Sequence, residues 1–186
     1  VTVGKGSTVL ENFEGTTAAI EASAQGITAS IQSELAYVKY GSASGKVVTN
    51  FASGAEQLSL RTKLNIPAGS LVLKLWVYGD NSQNELALTF NLGNGSRSSV
   101  TVCPLDFKGY KLVSIELPND AISVYSLDIK RTEAGRTTGT IYIDQIISSY
   151  SAGDDIVPPS ISGFILDTET TPGSAVITAK FTDNES

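Results

Sequence analysis

The sequence predicts an all-β protein, an antiparallel β-sandwich or barrel, and three features of the pattern carry this prediction. Short runs of β-branched and aromatic residues alternate with polar residues at a period of two, which is typical of half-buried strands. Clusters of Gly, Asn, Asp and Ser end these runs, as tight turns require. About ten such runs follow one another at the regular spacing expected of a sandwich or barrel, and the pattern contains no long amphipathic helix.

The clearest strand covers residues 58–66. There Leu58, Leu60, Leu64 and Ile66 alternate with polar residues, so one face of the strand is apolar and the other meets water. In the first 150 residues, strands are predicted at 9–13, 28–31, 36–40, 46–51, 58–66, 71–78, 86–92, 99–103, 110–117, 123–130 and 139–147.

The strand predicted at 71–78 carries a candidate binding surface. Leu73 and Leu75 share its core face, whereas Trp76 and Tyr78 share the opposite face. If that face meets solvent, Trp76 and Tyr78 could stack on a sugar ring. In the alternative interpretation, loops cover both faces and Trp76 fills part of the core.

Charged residues on other strands could complete such a surface. Arg61, Lys63 and Asp128 are candidates for charge-assisted hydrogen bonds to the hydroxyl or anionic groups of a sugar. A polysaccharide or other glycan is therefore the predicted partner.

Charge and composition narrow the possible functions. The net charge is −6, from 13 basic and 19 acidic residues, which argues against a protein that tracks nucleic-acid phosphates. The chain has no histidine, so the commonest general base and most transition-metal sites are excluded, and calcium is the metal to expect. Cys103 has no possible disulfide partner within the chain and is predicted to be a buried structural thiol.

Two features of the sequence bear on localisation: the lack of a long apolar run and a surface rich in small polar residues. No apolar run approaches the roughly 20 residues that span a bilayer. A surface rich in Ser, Thr, Asn and Gly suits a secreted or cell-surface bacterial protein. We therefore expect an extracellular location without a membrane span.

The composition predicts two domains joined by a linker. Residues 1–150 form the first β-module, residues 151–160 form a linker that Pro158 and Pro159 hold extended, and residues 161–186 contain two further strands. Two strands cannot close a core. The last segment therefore either packs on the first domain or is the truncated start of an immunoglobulin-like domain, and we favour the second interpretation.

Four segments resemble a known family. LENFEG at 10–15, LWVYGD at 75–80, DFKGYK at 106–111 and TGTIYID at 138–144 are similar to segments of galactose-binding-like jelly-roll modules. Such modules occur in large secreted bacterial proteins, often beside phosphodiester glycosidase or phosphoesterase domains and ahead of immunoglobulin-like domains. The third segment departs from the family, which usually has Trp where this chain has Tyr110.

The resemblance implies a jelly roll over residues 8–150 with a structural calcium ion between its first and last strands. Glu14 and Asp144 match the family's calcium carboxylates, and backbone carbonyls near Gly41, Ser44 and Lys46 would complete the shell. The alternative is that Glu14 and Asp144 are ordinary acids at strand ends, facing water.

Three functional hypotheses follow. The first is a non-catalytic carbohydrate-binding module that is covalently linked to neighbouring domains. The second is a structural spacer without affinity for glycans. The third is a catalytic glycosidase domain, which the sequence disfavours because it shows no motif around a pair of carboxylates and no histidine for a nucleophilic triad.

Overall fold

The computed structural model describes residues 6–15, 20–22, 25–51, 54–151, 160–167 and 176–182. The chain divides into two compact units, Val1–Asp154 and Asp155–Ser186. Residues 152–159 of the predicted linker lie outside the described residues. In the described part of the chain, no helix has the length and hydropathy that a bilayer crossing requires.

The first unit is a sandwich of two antiparallel sheets, as the alternation predicts. Its strands are β1 (Thr8–Glu11), β2 (Ile20–Ala22), β3 (Ile27–Gln32), β4 (Ser44–Asn50), β5 (Gln57–Asn65), β6 (Val72–Asp80), β7 (Glu85–Leu92), β8 (Arg97–Pro104), β9 (Lys108–Glu116), β10 (Ala121–Lys130) and β11 (Thr138–Ser149). The first sheet has the order β3-β4-β11-β6-β9, with β1 also paired to β11. The second sheet has the order β2-β5-β10-β7-β8.

The hydrophobic core fills the space between the sheets. Leu73 and Leu75 of β6 and Leu60 of β5 are fully buried in it, because alternate residues of each strand point inward. Cys103 is a free, buried cysteine, as predicted. Burial raises the pKa of its thiol to about 11, so the thiol is protonated at neutral pH.

Strand β11 bends where its partner changes. Its first half pairs with β4 and its second half pairs with β1, and the register against β6 shifts between Asp144 and Ile147. Gln145 adopts a positive φ of 46° at this bulge. The change of partner leaves a gap in the ladder beside Asp144, which we call the notch.

Residues 36–40 do not form the strand that the sequence predicts. Leu35–Tyr37 is a 3₁₀ helix, and we call residues 33–43 the cover loop. The prediction was wrong because the backbone amides of Lys39 and Tyr40 bond to a distant side chain, Asp144, instead of a neighbouring strand.

The second unit contains a two-stranded antiparallel sheet. Strand β12 (Ser160–Asp167) pairs with β13 (Val176–Thr182). The turn expected between them lies outside the described residues. An immunoglobulin-like domain stays a prediction for this segment.

Candidate functional site

The outer face of the first sheet carries rows of side chains that cross neighbouring strands. Trp76 of β6 lies opposite Asp144 of β11 in one row. In the next row Tyr78 of β6 lies between Tyr142 of β11 and Tyr110 of β9. These positions are outward because their neighbours in each strand face the core. The alternation in β6 therefore predicts correctly that Trp76 and Tyr78 share the outer face.

The cover loop lies over Trp76. The ring of Tyr40 meets the indole edge to face, with centroids 5.9 Å apart, and Lys39 Nζ lies 4.4 Å from the indole centroid. Trp76 is half-buried, and its buried Nε1 has no hydrogen-bond partner among the described residues. The cover loop therefore lies over part of the indole, as the alternative interpretation expects, but Trp76 is half-buried and is not one of the core residues that this interpretation also expects.

Glu14 and Asp144, the two acids that the family resemblance pairs, both accept hydrogen bonds from the cover loop. Asp144 is fully buried, and its Oδ2 accepts hydrogen bonds from the amides of Lys39 at 2.8 Å and Tyr40 at 3.0 Å. Glu14 Oε1 accepts from the amides of Ser42 at 2.9 Å and Ala43 at 3.0 Å. The two carboxylates thus hold opposite ends of the same loop segment.

Their environments shift the pKa values of the two carboxyl groups in opposite directions. The Ser42 hydroxyl, followed by the amides of Ser42 and Ala43, lowers the pKa of Glu14. Burial raises the pKa of Asp144, although the Tyr40 and Lys39 amides act against it. The negative charge of Glu14 makes the smallest contribution to the raised pKa of Asp144.

The three positions predicted to supply carbonyls are divided between the loop and a strand. Gly41 lies in the cover loop with a φ of 74°, and a Cβ atom there would be 2.3 Å from Glu14 Oε1. Ser44 and Lys46 belong to β4, where backbone carbonyls serve the sheet ladder. Among the described residues, no group of three or more His, Cys, Asp and Glu side chains could hold a metal ion.

Beside the notch, the outer face carries a cluster of tyrosines. The ring of Tyr37, from the cover loop, stacks on Tyr142 with centroids 4.1 Å apart and an interplanar angle of 7°. Tyr78 meets Tyr37, Tyr110 and Tyr142 edge to face at 5.1, 5.3 and 5.7 Å. Burial raises the pKa of both Tyr110 and Tyr142, so both hydroxyls stay protonated at neutral pH.

Tyr37 is held in place through its own carbonyl oxygen. That oxygen accepts hydrogen bonds from the Tyr110 hydroxyl at 2.8 Å, from Gln32 Nε2 at 3.0 Å and from the Ser44 hydroxyl. Because the donors come from three different strands of the first sheet, the backbone of Tyr37 is fixed relative to that sheet.

An open groove of about 540 Å³ begins at this cluster and runs along the outer face. Its volume lies within the roughly 300–1,000 Å³ of typical ligand pockets. Aromatic rings form one end, and charged groups form the other. The groove is lined by Tyr37, Val48, Thr49, Asn50, Tyr78, Asp80, Lys108, Arg136, Thr138, Gly139, Thr140 and Tyr142.

Arg61, Lys63 and Asp128 do not lie beside Trp76 and Tyr78, and their predicted grouping was wrong. They belong to β5 and β10 of the second sheet, whereas β6 lies in the first sheet.

Each of these three side chains has a setting of its own. The Arg61 guanidinium lies 3.6 Å from the Tyr125 ring centroid, and Lys63 forms an exposed ion pair with Glu21 at 2.5 Å. Asp128 is fully buried, and its Oδ1 has no hydrogen-bond partner among the described residues. Alternation along a strand predicts which residues face outward, but it does not predict which sheet the strand joins.

The groove includes residues that sequence reasoning missed. Tyr37 lies in a segment predicted to be a strand, and Asp80, Lys108 and Arg136 were not predicted as site residues. The abundance of tyrosine, seven residues against one tryptophan, was the available signal for an aromatic surface.

Sequence comparisons find nothing similar, whereas structural comparisons do. No protein-family model and no curated protein matches this chain. The family 11 carbohydrate-binding module of the cellulosomal cellulase Lic26A-Cel5E of Clostridium thermocellum has a TM-score of 0.51 and 14% identity. This match covers 77% of this chain and 94% of that one.

Two further solved structures are similar. A family 11 module from Clostridium thermocellum in complex with a β-1,3-1,4-mixed-linked tetrasaccharide has a TM-score of 0.50 and 14% identity, covering 77% of this chain and 95% of that one. The C-terminal family 22 module of Clostridium thermocellum Xyn10B has a TM-score of 0.49 and 17% identity, covering 78% and 94%. The two family 11 likenesses establish the fold. The first unit is a jelly-roll β-sandwich of the kind found in carbohydrate-binding modules.

Proposed function

We propose that the first unit is a non-catalytic carbohydrate-binding module that holds a polysaccharide chain in the groove of the first sheet. The observation that carries the proposal is the groove itself, with positioned tyrosine rings at one end and polar groups along its length. Sugars present an apolar ring face and a rim of hydroxyls, so they need both kinds of contact.

The parent protein is proposed to be a secreted or cell-surface bacterial protein with several domains. Two observations support this context: the second compact unit, and the fold shared with a module of a cellulosomal cellulase. The module would keep the rest of the protein close to its polysaccharide.

The groove also supports a binding role over a catalytic one. Glycoside hydrolysis uses two carboxyl groups about 5–10 Å apart across the scissile bond. Asp80 is the one acidic residue among those that line the groove. Its Oδ1 accepts from the Ser82 amide at 3.0 Å and its Oδ2 from the Thr140 amide at 2.8 Å, which suits a structural carboxylate.

We expect Tyr37→Ala to weaken glycan binding about tenfold, or about 1.4 kcal/mol, because it removes a positioned stacking surface. Affinity electrophoresis across soluble plant and bacterial polysaccharides would identify a ligand, and calorimetry would measure Kd. Tyr125→Ala is the matched control, since Tyr125 lies on β10 of the second sheet, outside the groove. Failure of the wild type to bind any glycan in a broad panel would favour the structural spacer.

We further propose that a structural calcium ion binds at the notch. Asp144 Oδ1 supports this, because it is a fully buried carboxylate oxygen without a hydrogen-bond partner among the described residues. Glu14 supplies a second carboxylate, and Gly41 lies in the loop that could offer a carbonyl. Calcium favours such hard oxygen ligands, and it would stabilise the folded state without chemistry of its own.

Calcium at about 100 times its Kd should raise the free energy of unfolding by about 2.7 kcal/mol, or roughly 5–10 °C in Tm. Thermal unfolding in CaCl₂ and in EDTA measures the difference, with Glu14→Gln as the test variant and Glu133→Gln, an exposed acid away from the notch, as its control. Equal Tm values in calcium and EDTA would mean that hydrogen bonds alone hold the notch.

A further inference from the structure

We propose that the groove selects an anionic glycan, one whose sugar residues carry a carboxylate or sulfate group, and that Lys108 and Arg136 recognise this charge. The inference rests on the proposed carbohydrate-binding function and names the class of sugar. It follows from the charges at the end of the groove opposite the tyrosine cluster.

The protein as a whole is acidic, but this end of the groove is not. The net charge of the chain is −6, yet the charged residues lining the groove are two cations, Lys108 and Arg136, and one anion, Asp80. Both cations are exposed to solvent. Two exposed cations beside a single anion concentrate positive potential at this end of the groove, where a ligand would lie.

Asp80 does not neutralise the two cations by ion pairing. Neither Lys108 nor Arg136 forms an ion pair within the described part of the chain. Although Asp80 and Lys108 are cross-strand partners, both Asp80 oxygens accept backbone hydrogen bonds, from Ser82 and Thr140. The carboxylate therefore holds the strands together and leaves the Lys108 ammonium available.

Arg136 is anchored so that it faces the groove. One of its guanidinium nitrogens donates to the Asp80 carbonyl oxygen, and its backbone is held by Ser82 and Asn84. A guanidinium has five N–H donors in a planar fork, so the remaining donors can bind a carboxylate or sulfate in a bidentate manner. Arg136 is thus positioned before the ligand binds.

The spacing of the aromatic and basic ends fits a saccharide chain. Tyr78 and Asp80 are two residues apart on β6, a separation of about 7 Å, and Lys108 lies opposite Asp80 on the next strand. A chain with one ring against Tyr37 and Tyr78 would therefore place an acidic group of the same or the next ring beside Lys108 and Arg136.

Matched pairs of oligosaccharides test the inference directly. The probes are tetragalacturonate and its methyl ester, which share one backbone, together with aldotetraouronic acid against xylotriose and a sulfated against an unsulfated galactan oligosaccharide. We expect the anionic member of at least one pair to bind tenfold or more tightly than its neutral partner at 20 mM NaCl. The ratio should fall markedly at 0.5 M NaCl, because salt screens exposed charges. A comparison of the affinity ratios of the three pairs shows whether the protein prefers a carboxylate or a sulfate group.

Lys108→Gln and Arg136→Gln should each reduce the affinity for the anionic member of a pair severalfold more than the affinity for its neutral partner, so that the ratio of the two affinities falls. Lys111→Gln on the same strand and Arg131→Gln near Arg136 are the controls, since both remove an exposed cation outside the groove. Because Arg136 also bonds to the Asp80 carbonyl, its variant is compared with wild type by Tm, and Lys108→Gln keeps the test independent of it.

The outcomes separate the two proposals. Neutral and anionic members that bind equally, or a ratio unchanged in both variants, would overturn the inference and leave the carbohydrate-binding function standing. No binding to any oligosaccharide, charged or neutral, would overturn the proposed function and the inference with it.

Discussion

Asp144→Ala is expected to lower the free energy of unfolding by about 2–4 kcal/mol and to shift the fluorescence of Trp76 to longer wavelength. The variant leaves the amides of Lys39 and Tyr40 without their acceptor. Hydrogen bonds to charged groups contribute about 1.5–3 kcal/mol each, and water entering an opened loop offsets part of their loss. The cost of burying the carboxylate, visible in its raised pKa, also disappears with the side chain.

The fluorescence change follows from what the amides hold in place. Lys39 and Tyr40 cover the indole of Trp76, so a detached cover loop exposes the indole to water. Trp76 is the only tryptophan in the chain, so the emission reports the surroundings of this one residue.

Guanidinium unfolding and native-state emission spectra, both recorded in EDTA, measure the effect of Asp144→Ala without any contribution from metal. Asp106→Ala removes an exposed acid and serves as the control. Asp144→Asn keeps an oxygen acceptor and should lose less stability than alanine. An alanine variant as stable as Asp106→Ala, with unchanged emission, would show that the cover loop does not depend on Asp144.

Phe13→Ala is expected to cost about 3–5 kcal/mol of stability, the range for removing a fully buried aromatic side chain. Phe13 is 1% exposed, and its ring lies so close to Gly45 that a Cβ atom there would be 2.4 Å away. Neighbouring backbone cannot move in to fill the space, because β4 is held between β3 and β11. The cavity therefore persists and adds its own cost to the lost burial.

The loss of Phe13 should also loosen the notch, because Glu14 is the next residue in the chain. Denaturant unfolding followed by circular dichroism measures the stability, with Leu35→Ala as the control, since Leu35 is 78% exposed. Phe13→Leu fills more of the space and should cost less than alanine. A loss below about 1 kcal/mol for Phe13→Ala would contradict the packing described here.

The alternation of residues along a strand was sufficient to predict which of its side chains face the core. In β6 the alternation separates Leu73 and Leu75, which are buried between the sheets, from Trp76 and Tyr78 on the outer face. Side chains in any strand point alternately to opposite faces, so this division needs no knowledge of the strand's neighbours.

The family resemblance pairs Glu14 with Asp144, which are distant in the chain, and in the structure both carboxylates accept hydrogen bonds from the cover loop. Strand β1 ends three residues before Glu14, and it pairs with the part of β11 that follows Asp144. A sequence alone shows two acidic residues at strand ends, and it does not show that the same loop donates its amides to both. The calcium ion that the resemblance also implies stays a prediction.

The composition of the groove could not be derived from the sequence, because it depends on which strands become neighbours. Arg61 and Lys63 lie on one face of their strand, just as Trp76 and Tyr78 lie on one face of theirs. Their strand nevertheless belongs to the other sheet. Tyr37 reaches the groove through a loop whose path is set by Asp144 and Tyr110. Lys108 and Arg136 become a pair only when β9 and the segment before β11 meet beside Asp80.

By itself, then, the sequence determined the all-β class, most of the strands, the residues of β6 that face the core and the acidic character of the chain. Only the tertiary structure decided that the cover loop lies over Trp76, that four tyrosines form one cluster and that two cations lie at one end of the groove. The physical reason is the separation along the chain over which each kind of interaction acts. Alternation and turn chemistry act between residues a few positions apart, whereas a binding surface is assembled by strand pairing and loop anchoring between residues up to 105 positions apart.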